Sequence, residues 1–256
     1  MIDVGVNLSS VIDLDKLNVF MSELDAANVT QVIAISSNLS ESYELVSLLK
    51  QYPNTPIRYT IGCHPHHASQ WNNKVEQEIC QLINDAHPIA IGETGLDFNR
   101  NFSTPAEQLL AFESQISIAE TTELPLYLHE REAEDPLINI LSNHKQIEGV
   151  IHCFTGNKDT LKRYLDLNLY IGVTGWLCDE RRGHDLKEAV KYIPNDRLLI
   201  ETDSPYLIPR IIRPRPKKNH PKFLSYIGEE LANIRNQSTD DIIKLTTENA
   251  QRLFSL

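Results

Sequence analysis

The chain has 256 residues, 41% of them apolar and 23% charged, a length and composition that suit one large soluble α/β domain. A formal net charge of −11 excludes indiscriminate nucleic-acid binding through overall charge, although a local basic patch stays open. Four cysteines without paired spacing exclude a zinc knuckle and a disulfide framework, and no signal peptide or run of about 20 apolar residues is present, so a cytoplasmic protein is expected.

In chain order, a first strand is expected over residues 2–8 and an amphipathic helix over 15–27. A second strand follows at 31–35, after which Ser37 or Ser40 offers an N-cap for a helix through Leu49. A third strand at 57–61 runs into Gly62-Cys63-His64-Pro65-His66, and a helix spans 73–86. Ile89 to Asp97 is an apolar run that stops at Glu93, between Gly92 and Gly95. It reads as a buried parallel strand whose glycines let the backbone approach a ligand. Thr104-Pro105 with Glu107 opens the next helix. Strands five and six end at His129 and His152, strand seven covers 169–173 and strand eight 198–200. Residues 240–254 read as a last helix packed on the outside. Strands and helices alternate without a composition break across residues 1–256. That favours a single (β/α)8 TIM barrel over an open doubly wound sheet, which would want a glycine-rich phosphate loop where Gly5-Val6-Asn7-Leu8 stands.

In such a barrel every strand C-terminus lies on one face. Glu93, His129, His152 and Asp203, from strands four, five, six and eight, are therefore expected to converge as metal ligands. Carboxylates with imidazoles suit Mg, Mn or Zn, and the carboxylates favour the harder ions. His64 is expected to point into the same pocket and contact substrate or a proton, ahead of His66, where the chain departs. Only one acid of Glu201-Thr202-Asp203 should face the mouth. Asp203 there would bind metal or take a proton from an attacking water, while Glu201 orients neighbours. Arg131, just past a ligand, would hold a phosphate bidentately. The Pro-rich stretch 209–221 carries Arg210, Arg213, Arg215, Lys217 and Lys218 over the mouth, as a polyanionic substrate requires. Trp71, Trp176, Phe98 and Phe102 are candidates to stack on bases, with the core as their plainer alternative. Cys63 and Cys153 read as small buried hydrophobes.

Gly62-Cys63-His64-Pro65-His66, Gly92-Glu93-Thr94-Gly95-Leu96-Asp97, His129-Glu130-Arg131, Ile151-His152-Cys153-Phe154-Thr155-Gly156 and Glu201-Thr202-Asp203-Ser204-Pro205-Tyr206 together resemble the TatD family of metal-dependent deoxyribonucleases, one of the amidohydrolase-like barrels. The likeness covers essentially the whole chain. Residues 98–103 and 175–183 resemble the eponymous branch of that family. The resemblance implies Mg-dependent 3′–5′ exonuclease action on single-stranded DNA, with RNA as a further substrate, and a place in DNA repair. On that reading Asp203, Glu93 and His64 are catalytic, and His66, Arg131 and Glu201 are on the substrate side. The chain departs from the family at its strand-one His-x-His pair, where Gly5-Val6-Asn7 stands. A first metal would then rest on Glu93, Asp203, an Asn7 amide oxygen, water and substrate oxygens, and be weakly held without substrate. The second keeps Glu93, His129 and His152. Two alternatives share the same residues: a metal-dependent hydrolase of a small amide or ester, and a non-catalytic nucleic-acid-binding protein with a vestigial site. A monomer is expected.

Overall fold

Strand and helix alternate throughout the computed structural model, which describes residues 1–12, 16–144 and 146–256. The described strands are β1 (Ile2–Val6), β2 (Gln31–Ala34), β3 (Ile57–Ile61), β4 (Ala90–Asp97), β5 (Leu126–Arg131), β6 (Gly149–Ile151), β7 (Tyr170–Val173) and β8 (Leu198–Ile200). They form one sheet in sequence order, and every neighbouring pair is parallel. Parallel neighbours need a crossover between them, and helices supply it. The sheet's two ends meet just past β8: Val6 bridges Ser204, and the Asp203 N–H donates to the Gly5 carbonyl at 2.9 Å. This is the expected (β/α)8 barrel.

Alternation along each strand sorts residues between the inside and the helical shell. Tyr127, Val150, Tyr170 and Leu199 join an inner cluster, while Leu126, Leu128, Ile151, Ile171, Leu198 and Ile200 join the larger outer one. The last helix, spanning Thr239–Phe254, does not lie wholly outside. Its Ala250, Leu253 and Phe254 enter the inner cluster with Ile2 and Val4.

Helix starts follow local capping chemistry. Helix α5 (Pro105–Thr122) opens on the expected capping box of Thr104 and Glu107, and α4 (Asn73–Ala86) is capped by Asn72. The cap of α3 (Leu39–Gln51) is Asn38, not Ser37 or Ser40, because the Asn38 carboxamide accepts the Glu41 N–H at 3.0 Å. Ser37 donates to the Glu41 carboxylate instead. The helix expected at 15–27 begins outside the described residues and is seen as α2 (Leu17–Ala26). Leu8 opens a one-turn helix, α1 (Leu8–Val11), rather than ending β1.

One feature of the sheet positions the site. Strands β4 and β5 run on past their neighbours, pairing Gly95 with His129 and Asp97 with Arg131. Two ligand-type residues thus sit side by side on a rigid ribbon at the barrel mouth.

Candidate active site

Gly95 makes that ribbon possible. It adopts φ +130°, and a Cβ there would lie 2.0 Å from the His129 carbonyl oxygen, so only glycine lets β4 and β5 close at this level. Glu93 and His129 are then adjacent, with Glu93 Oε1 2.9 Å from His129 Nδ1. The other ring nitrogen, Nε2, lies 3.3 Å from Asp97 Oδ2. Asp97 Oδ2 also meets His66 Nε2 at 2.7 Å, and its Oδ1 accepts the Asn99 and Arg100 N–H groups. A carboxylate that holds Nε2–H leaves Nδ1 of His129 facing Glu93 as a metal donor.

His64 completes this first group, with Nε2 3.4 Å from Glu93 Oε1. Its Nδ1 accepts the His66 N–H at 3.0 Å, so the ring proton sits on Nε2. Burial pushes its pKa down to about 4, so His64 is neutral near pH 7 and points an N–H donor at Glu93.

The second group gathers His152, Cys153 and Asp203. His152 Nδ1 lies 2.7 Å from both Glu201 Oε2 and the Tyr127 hydroxyl, and that hydroxyl donates to Glu201 at 2.6 Å. With Nδ1 engaged below, Nε2 faces the mouth, 3.7 Å from Asp203 Oδ1. The two histidines thus offer opposite nitrogens to a shared space, Nδ1 from His129 and Nε2 from His152. The groups are close enough for the Glu93 charge to act on both His152 and Asp203.

The electrostatics suit an ion. Burial favours a neutral Glu93 carboxyl, but charge and hydrogen bonds from the surrounding imidazoles overcome it and hold the group well below the usual range. Burial would lower His129, yet hydrogen bonds to Asp97 and Glu93 raise it to about 9. His152 rises to about 10 against burial, through Glu201, Glu93 and Asp203. Asp203 rises to about 7, mainly by burial, with His152 opposing. Concentrated carboxylates with two captive imidazolium protons are what a divalent cation displaces on binding.

The structure brings Glu93, His129, His152 and Asp203 to one mouth but pairs them differently from expectation. Glu93 groups with His129 and His64, and His152 groups with Asp203 and Cys153. The Cys153 thiol therefore lies beside His152 and Asp203, not in the core as a hydrophobe. Glu201 requires correction as a substrate contact, because it has no exposed surface and spends its carboxylate on Tyr127, His152 and the Cys153 N–H. It lies under the site and orients it. Glu201 and Asp203 both address His152, one at each ring nitrogen, so depth rather than opposite facing separates their roles. Asn7 turns its amide nitrogen, not its oxygen, to the site and donates to Asp203 Oδ1 at 2.9 Å. Arg131 is exposed at the end of β5, bordering a cleft with Glu130, Phe154 and Arg163. Phe102 is exposed with its ring against His66, whereas Trp71 is a buried core residue.

Sequence reasoning missed Asp97, Tyr127 and Asp3. Asp3 is fully buried and accepts the Thr202 N–H at 2.8 Å and its hydroxyl at 2.6 Å, pinning the segment that carries Asp203. A lone acid inside the apolar run Ile2-Asp3-Val4 was the available signal. The vacant strand-one position also has a cause. A Cβ on Gly5 would fall 2.4 Å from the Tyr127 hydroxyl and 2.5 Å from Glu201 Oε2, so those groups fill the space a side chain there would use.

A family model described as "TatD related DNase" matches residues 2–255. A "3'-5' ssDNA/RNA exonuclease TatD" of Yersinia pseudotuberculosis serotype O:3 is 44% identical over 260 residues, covering all of both chains. The protein of the same name from Erwinia tasmaniensis is 42% identical over 260 residues, again over both full lengths. Among solved structures, the TatD homolog YJJV of Escherichia coli K12 superposes with a TM-score of 0.90 over 100% of this chain and 98% of that one, at 23% identity. A phosphotriesterase homology protein from Escherichia coli, complexed with phosphate, shares the fold with a TM-score of 0.68 at 13% identity, over 99% of this chain and 98% of its own.

Proposed function

The chain belongs to the TatD-related DNases, and we propose that it is a divalent-metal-dependent nuclease that hydrolyses single-stranded DNA, and RNA, from the 3′ end. The observation that carries this reading is the convergence of Glu93, His129, His152 and Asp203 at the barrel mouth, with each imidazole oriented by a carboxylate behind it. The donor set fits a cation that accepts mixed nitrogen and oxygen ligands, and Mg or Mn suits its carboxylates best, with Zn also compatible. His129 Nδ1, Glu93, His152 Nε2 and Asp203 would hold it. Bound there, it would acidify the attacking water and neutralise charge developing on the phosphate.

The chain's own groups do the rest. Asp203, raised to about 7 in the ion-free site, takes the proton of the attacking water, and the Asn7 amide donates to it and fixes its orientation. Glu201 and Tyr127 hold His152 from below and exclude water from its Nδ1 side. Asp97 does the same for His129. His64 supplies a neutral N–H donor beside Glu93, and His66, held by Asp97, borders the mouth where a phosphate arrives, while Arg131 lines the neighbouring cleft beside Glu130. The protein acts as a cytoplasmic monomer in DNA repair on this reading, and no described helix is long and apolar enough to cross a membrane.

The test is digestion of end-labelled single-stranded DNA with Mg, Mn, Zn or a chelator. Glu93→Ala and Asp203→Ala are expected to lose at least a hundredfold in rate while remaining folded. Retained turnover in either folded variant would remove the assignment.

A further inference from the structure

The loops that follow β7 and β8 converge on one carboxylate, Asp179, whose side chain is 5% exposed. Its Oδ1 accepts the Arg181 N–H at 2.9 Å, and its Oδ2 accepts Nε and Nη2 of Arg182 at 3.1 Å each. Arg210 Nε lies 2.9 Å from the same Oδ2. Arg182 is clamped in this way with its guanidinium over the Trp176 ring, 4.2 Å from the ring to Cζ. Arg213 and Arg215 follow on the same loop with exposed side chains, and among the described residues neither meets a carboxylate. The Arg213 guanidinium donates to backbone carbonyls, including that of Ile212 at 2.8 Å. Among the described residues lining this sector, five guanidiniums stand against two acids, Asp179 and Glu180, so it is net positive in a chain of net charge −11.

A cleft runs through this sector. Trp176, Arg182, Tyr206, Arg210 and Arg215 line its first part, and Arg181 and Arg213 line its continuation. Two backbone segments tie it to the active site. The Tyr206 N–H donates to the Asp203 carbonyl at 2.9 Å, and the Thr174 hydroxyl, one residue before the Trp176 turn, lies 3.6 Å from Cys153 Sγ. Tyr206 itself is 57% exposed.

Resting on the nuclease reading above, we propose that this cleft is a binding track for the part of a single-stranded nucleic acid that lies beyond the scissile bond. The Arg182–Trp176 stack and the Tyr206 ring present flat faces to bases, while Arg210, Arg213 and Arg215 take backbone phosphates. Base stacking on aromatic and guanidinium planes is tolerant of sequence, as a processive exonuclease requires. Asp179 holds the Arg182 and Arg210 guanidiniums in place before substrate arrives, so less side-chain freedom is lost on binding. A purely structural clamp between two loops accounts for Asp179, Arg182 and Arg210. It leaves Tyr206 and Arg215, exposed where they line the same cleft, without a role.

The track makes hydrolysis depend on substrate length, because a dinucleotide leaves most of it empty. The experiment compares kcat/KM on oligo-dT of twelve nucleotides and on a dinucleotide for the wild type, Arg213→Ala/Arg215→Ala and Trp176→Leu, with thermal melting as the folding check. The ratio of the long to the short substrate should fall about tenfold or more in both variants. The salt slope of 12-mer binding should flatten by about 0.7 for each phosphate contact removed. In parallel, 12-mer titrated onto Glu93→Ala should quench tryptophan fluorescence, and Trp176→Leu should abolish the change, since the other tryptophan, Trp71, is buried. An unchanged ratio together with unchanged quenching overturns the track and leaves the nuclease reading intact. A wild type that hydrolyses neither substrate removes the nuclease reading, and the titration then decides the track by itself.

Discussion

Replacing Gly5 with alanine tests why the strand-one position carries no ligand. The added Cβ would lie 2.4 Å from the Tyr127 hydroxyl and 2.5 Å from Glu201 Oε2, well inside van der Waals contact. Neither group has room to retreat. Tyr127 and Glu201 are fully buried and joined to each other at 2.6 Å and to His152 at 2.7 Å. Overpacking of this kind costs about 1–3 kcal/mol. A buried hydroxyl or carboxylate driven off its partner adds about 1–3 kcal/mol. The expected loss is therefore about 2–6 kcal/mol, a large share of the roughly 5–15 kcal/mol that holds a typical protein folded. Urea denaturation of the ion-free protein measures it. Tyr127→Phe in the Gly5→Ala background removes one clashing oxygen and should recover part of the loss, which a double-mutant cycle isolates. A Gly5→Ala protein within about 0.5 kcal/mol of wild type, or one that Tyr127→Phe does not help, would refute the idea that these side chains occupy the missing ligand's place.

Ion binding should release protons. His129 and His152 sit at about 9 and 10 in the ion-free fold, above the ordinary imidazole value, so both are charged at pH 7 and must lose a proton to ligate. Asp203, at about 7, adds about half a proton more, so calorimetry of Mn binding at pH 7 in buffers of different ionisation heat should report about two to three protons released, and a buffer-independent heat contradicts this. The same raised values mean that the folded chain binds these protons more tightly than the unfolded one. Their contribution to stability is complete below the ordinary imidazole pKa and is lost as pH rises through about 9 to 10, so the melting temperature of the ion-free protein should fall between pH 7 and 10. Asp97→Asn should weaken Mn binding about 10–100-fold by releasing His129 Nε2, measured by direct titration, and unchanged affinity would exclude Asp97 as a positioning residue. Thr104→Ala should cost about 1 kcal/mol of stability through loss of the α5 capping box, with nuclease activity unchanged.

Much of this was legible locally. Apolar runs of strand length and the Thr104, Pro105 and Glu107 signature are neighbour effects, and they recur in the structure as β3, β4, β8 and α5. Once a parallel barrel is inferred, strand ends must share one face, so Glu93, His129, His152 and Asp203 could be gathered without coordinates. Asn38 outcompeting Ser37 for a cap was a matter of side-chain reach that spacing alone leaves open.

The sequence by itself therefore determined the barrel and the residue types at its mouth, because period and strand-end chemistry are properties of contiguous residues. Only the tertiary structure decided which nitrogen each histidine presents, that Glu201 lies beneath the site, and that Tyr127 fills the space beside Gly5. Those outcomes hang on partners separated by long stretches of chain: 49 residues between His152 and Glu201, and 199 between Asp3 and Thr202. No local pattern encodes a contact that exists only after the strands have been brought edge to edge around a closed barrel.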